Sequence, residues 1–65
     1  MRNEASEVDR AIAYCEKHIA RIRGEIERRD ALGHNSARHR ARLKTLKAVR
    51  AVHQAERDRL QSVAA

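Results

Sequence analysis

Apolar residues in the first half of the chain recur at alternating intervals of three and four. Ala5, Val8, Ile12, Cys15, Ile19, Ile22 and Ile26 form this series, the a/d spacing of a helix that buries one stripe against another helix. Charged residues surround it, among them Glu16, Lys17, Arg23 and Glu27. The spacing predicts a helix over about residues 4–32. Asn3 and Ser6 are its candidate N-caps. Glu4, Glu7 and Asp9 suit the positive end of the helix dipole, and Arg28 and Arg29 the negative end. The run Leu32-Gly33-His34-Asn35-Ser36 then interrupts the pattern. Gly33 fits the left-handed residue that follows a helix, and Asn35 or Ser36 fits the cap of the next one.

A weaker stripe follows at Arg42, Leu46, Val49, His53, Glu56, Leu60 and Val63, and it predicts a second helix over about 36–63 after a turn at 33–35. Folding the chain back at the glycine sets Ile26 opposite Arg42, Ile22 opposite Leu46, Ile19 opposite Val49 and Cys15 opposite His53. Ile12 then faces Glu56, and Val8 faces Leu60. All these layers agree on a turn centred on His34. The expected fold is all-α, an antiparallel two-helix hairpin forming a single domain over residues 1–65. Arg42 and Glu56 are polar a/d residues of the kind that set register or oligomeric state at a cost in stability.

The chain holds four Ile, four Leu and four Val, a small core for its length, and a lone cysteine allows no disulfide within it. Chains of this size usually need a staple, a metal or a partner. Self-association is the expectation, a homodimer first. Its core draws on Val8, Ile12, Cys15, Ile19, Ile22 and Ile26 from the first helix, with Leu46, Val49, His53, Leu60 and Val63 from the second. Ala41, Ala48 and Ala55 recur every seven residues, with Val52 and Val63 alongside. That widens the apolar face, so two hairpins are expected to pair into a four-helix bundle.

Composition agrees with helix and excludes most alternatives. Alanine and arginine occur twelve times each, and proline, tryptophan and phenylalanine are absent, which argues against a β-rich fold. The apolar runs are too short to cross a membrane, and the start carries no secretory pattern, so a cytoplasmic protein with no membrane partner is expected.

Charge adds a functional expectation. The net charge is +6. Residues 17–50 carry eleven Lys/Arg against Glu25, Glu27 and Asp30, a net +8, whereas residues 1–16 are net −2. Cations in the first turns of the second helix oppose its dipole. Free backbone N–H groups and arginines at a helix start make an anion site. Arg28, Arg29, Arg38, Arg40, Arg42, Lys44 and Lys47 are therefore the candidate nucleic-acid contacts, binding DNA or RNA backbone without sequence preference. Tyr14 is the lone aromatic residue, which disfavours sequence-specific single-strand readers. The alternative is an adaptor, assembly or inhibitor protein, of phage- or plasmid-encoded size, docking on an acidic protein.

Catalysis is not expected. No P-loop, nucleophile elbow, dinucleotide glycine pattern or paired catalytic carboxylates occur. Cys15 and His53 share an expected layer, but no CxxC or HxxxH spacing supports a metal, so neither metal nor cofactor is assigned.

Overall fold

The structure, a computed structural model, describes the backbone of residues 4–64 and the side chains of residues 6–63. Two helices of 28 residues each, α1 (Glu4–Ala31) and α2 (Ala37–Ala64), pack against one another and are joined by a short turn. Each is about 42 Å long at 1.5 Å per residue, and the molecule measures 50 × 18 × 14 Å. The antiparallel hairpin expected from the stripes is present. Ser6 lies inside α1 rather than at its start, so it does not cap it. Asn3 and the side chains of Glu4 and Ala5 lie outside the described residues.

The α1 stripe is the core. Val8, Ile12, Cys15, Ile19, Ile22 and Ile26 are all buried, and Ile19 and Ile22 are the most enclosed at 2% exposure each. They lie on one face because successive a/d positions advance by close to whole helical turns. Among the described residues, α2 contributes no buried apolar side chain. Its inward face is half-buried and consists of His39, Leu43, Leu46, Arg50, His53, Arg57 and Leu60, with Gln54 at the edge.

That face corrects the expected one. Leu46, His53 and Leu60 point inward as foreseen, but Arg42, Val49, Glu56 and Val63 do not. Arg42 and Glu56 are exposed, and Val49 and Val63 are 41% and 77% exposed. The helix is turned so that Leu43, Arg50 and Arg57 complete the seam instead. Physical chemistry favours this rotation. The expected face would have pressed Glu56 into an isoleucine layer, and an ionised carboxylate on a short stem is costly to bury. Arginine stems can lie over apolar surface while their heads reach out. Arg57 does this, with its Nη1 3.9 Å from Asp9 Oδ1. Leu43 also enters the seam, which offsets part of the valine surface left outside.

Gly24 sits in the middle of α1, and the helix runs through it unbroken. The Arg28 side chain lies alongside, its Nη1 3.6 Å from where a Cβ would stand. Among the described residues, no helix is long and apolar enough to cross a membrane.

Candidate nucleic-acid interface

The turn is built by two backbone devices. At the end of α1, His34 N–H donates to the Arg29 carbonyl at 2.8 Å and Gly33 N–H to the Asp30 carbonyl at 3.1 Å. With Gly33 at φ 72°, this is the Schellman pattern that satisfies the last carbonyls of a helix. At the start of α2, Ser36 occupies the cap position, its carbonyl accepting from Arg40 N–H at 2.9 Å. The Asn35 side chain caps the first turn, its Oδ1 accepting from Ala37 N–H at 2.9 Å. Both residue types named from sequence therefore serve the cap.

Asp30 of α1 also enters this helix start. Its carboxylate accepts from Ser36 Oγ at 2.8 Å and pairs with Arg40 Nη2. Arg40 Nε in turn donates to Ser36 Oγ at 3.0 Å, and Ser36 is buried at 7% exposure. The α2 first turn carries no acidic residue of its own, yet an anion sits there all the same. It is the carboxylate that the preceding helix delivers across the turn, and it supplies the negative charge the dipole favours. The cations that look unfavourable in sequence are thus partly compensated by the fold.

The seven sequence-named cations divide into three groups. Arg40 is held in the Asp30–Ser36 clasp, and Arg29 Nε donates to the Asn35 carbonyl at 2.9 Å. Both act in shaping the turn. Arg38 and Arg42 lie on one flank of α2, where they line a pocket with Arg21, Ile22, Glu25 and His39. Lys44 and Lys47 lie on the other flank, in a shallow groove with Arg40 and Leu43. Arg28 is on the outer surface of α1 beside Gly24. Arg28, Arg38, Arg42, Lys44 and Lys47 are exposed, and their side chains make no ion pair or hydrogen bond among the described residues.

Sequence reasoning passed over Arg21 because it lies in mid-α1, far along the chain from the basic run. Only the folding back of α2 places it beside Arg38 and Arg42. Its Nε is 4.0 Å from Glu25 Oε1, and the other oxygen of Glu25 lies 3.2 Å from His39 Nε2. Glu25 is consequently engaged from both helices and leaves the two α2 arginines without a carboxylate. Arg50 is the second omission. It is drawn into the seam and is less available for contacts outside.

The remaining candidate chemistry is sparse. Cys15 is a buried free thiol. His53 shares a groove with Glu7, Val8, Ala11, Glu56 and Arg59, and its Nδ1 is buried with no hydrogen-bond partner. No group of three or more His, Cys, Asp or Glu among the described residues is placed to hold a metal ion. No family model, curated protein or solved structure matches the chain.

Proposed function

We propose that this chain is a small, basic, non-catalytic protein that self-associates as a four-helix bundle. It binds DNA or RNA without sequence preference, through phosphate contacts. One observation carries the nucleic-acid part. From Arg38 to Arg50, α2 has no carboxylate, and Arg38, Arg42, Lys44 and Lys47 stand exposed and unpaired. Such cations bind a polyanion by releasing its condensed counterions, a driving force that needs neither a pocket nor base contacts. The contact surface is the turn-proximal half of α2 rather than its capped N-terminus, because Asp30 and Asn35 already serve that end.

Fluorescence anisotropy with a labelled duplex and with a single-stranded RNA of similar length tests this, each titrated at several salt concentrations. If ~4 phosphates are contacted, log K falls against log salt with a slope of about −3 to −4. Changing Arg38, Arg42, Lys44 and Lys47 together to Gln, with Arg40 spared because it holds the turn, should abolish most of that slope. Affinity should fall by at least ~10-fold at low salt. An unaltered affinity refutes the surface. Failure of the unmodified protein to bind either nucleic acid at low salt refutes the function, and turns the search towards an acidic protein partner.

A further inference from the structure

The face that sequence assigned to the core but the fold leaves outside has its own geometry. Val49, Val52 and Val63 are 41%, 66% and 77% exposed. With Thr45, Ala48, Ala55, Glu56 and Arg59 they recur at intervals of three and four, so they share one side of α2. Tyr14 of α1, 64% exposed, is a further uncovered side chain, set against His18 with ring centroids 4.2 Å apart and planes tilted by 54°. The α2 helix thus carries two stripes. One faces α1, and the other faces nothing in the single chain.

We propose that a second copy of this chain covers the Val52 stripe, with the two α2 helices antiparallel about a two-fold axis near Val52. This deepens the self-association proposed above and is independent of nucleic-acid binding. Two quantities support a second copy as the occupant. The single chain exposes 5223 Å², whereas a compact monomer of 7.5 kDa should expose about 4,200 Å². The excess, roughly 1,000 Å², is close to the ~800 Å² per partner that a standard stable interface buries. Charge supplies the orientation. The segment 17–50 is net +8 and the segment 1–16 net −2, so antiparallel docking sets each basic turn end beside the acidic open end of the other copy. Parallel docking would set like charges side by side.

An axis at Val52 sets Val49 near Ala55 of the second copy, and Thr45 near its Arg59. Arg38 and Arg42 then lie towards the acidic open end of the other hairpin. Lys44 and Lys47, on the opposite flank, stay outside and remain available to phosphate.

Sedimentation equilibrium without nucleic acid is the first test, with twice the 7.5 kDa chain mass expected at micromolar concentration. Val52→Glu should raise the dimer dissociation constant at least ~100-fold, since it buries a carboxylate in each half of a symmetric contact. Gln61→Glu, exposed on the opposite side of α2, should leave it unchanged. Higher salt should weaken the dimer by screening the end-to-end attraction. Because loss of the dimer could also unfold the variant, a second measurement fixes the geometry in folded protein. Mixed Thr45→Cys and Arg59→Cys chains should form a disulfide-linked pair under mild oxidation, and Thr45→Cys alone should not. A single-chain mass at all concentrations, an unaffected Val52→Glu dimer, or cross-linking of Thr45→Cys to itself would each overturn the proposal. Loss of nucleic-acid binding alone would not touch it.

Discussion

Replacing Asp30 by Asn tests whether the fold compensates the basic start of α2. The substitution keeps an oxygen able to accept from Ser36 Oγ but removes the charge that faces Arg40 and the helix dipole. The Asp30 and Arg40 side chains are 43% and 60% exposed, so the ion pair contributes only about 0.2–1 kcal/mol. A carboxylate near a helix N-terminus adds about 0.3–1 kcal/mol. The two together give an expected loss of about 1 kcal/mol, or about 4–8 °C in midpoint for a chain of this size. Asp30→Ala should lose about 1 kcal/mol more, because it also removes the acceptor of a nearly buried hydroxyl. Urea unfolding followed by circular dichroism, at one fixed protein concentration, measures both. A cycle with Arg40→Gln isolates the coupling. Asp30→Asn also frees Arg40 and removes the chain's own anion from the α2 start, so affinity for a duplex should rise by a few-fold at low salt. An Asp30→Asn protein as stable as the parent, with no coupling to Arg40, would refute the compensation. Weakened nucleic-acid binding would refute competition between Asp30 and phosphate.

Gly24→Ala should stabilise the protein by about 0.5–1 kcal/mol, since the helix is regular there and the added methyl meets only the mobile end of Arg28 at 3.6 Å; thermal melting checks it. Ile19→Ala, at 2% exposure, should cost about 2–5 kcal/mol and leave little helical signal at 25 °C by circular dichroism. Arg50→Leu should raise stability by about 1 kcal/mol in urea titrations, because it replaces a half-buried cationic side chain on the isoleucine seam with an apolar one. A fall in stability there would show that the Arg50 head makes a contact of its own.

The hairpin was legible from sequence because its signals are local and agree with one another. Six α1 positions keep strict a/d spacing, Gly33 stops the helix, and Asn35 and Ser36 start the next. Each follows from backbone geometry within a few residues. The facing of α2 was not legible. Leu46, His53 and Leu60 fit two neighbouring stripes equally well, and the apolar Val49 and Val63 favoured the one the fold leaves outside. Periodicity counts apolar residues, but it does not weigh a buried glutamate against an arginine stem lying across isoleucines.

The candidate interface divides along the same line. Net charge, its concentration in residues 17–50 and the absence of acid between Asp30 and Glu56 are properties of the chain alone. Which cations remain free is a property of the fold. Asp30 and Arg40 are ten residues apart in sequence and meet because the turn reverses the chain between them. Arg21 joins Arg38 and Arg42 for the same reason. Sequence by itself determined the two helices, the site of the turn and the sign of the charge, since these depend on near neighbours and simple counting. Tertiary structure decided which face of α2 is buried, which arginines hold the turn and which are left exposed, because each of those outcomes depends on what a distant residue brings within reach.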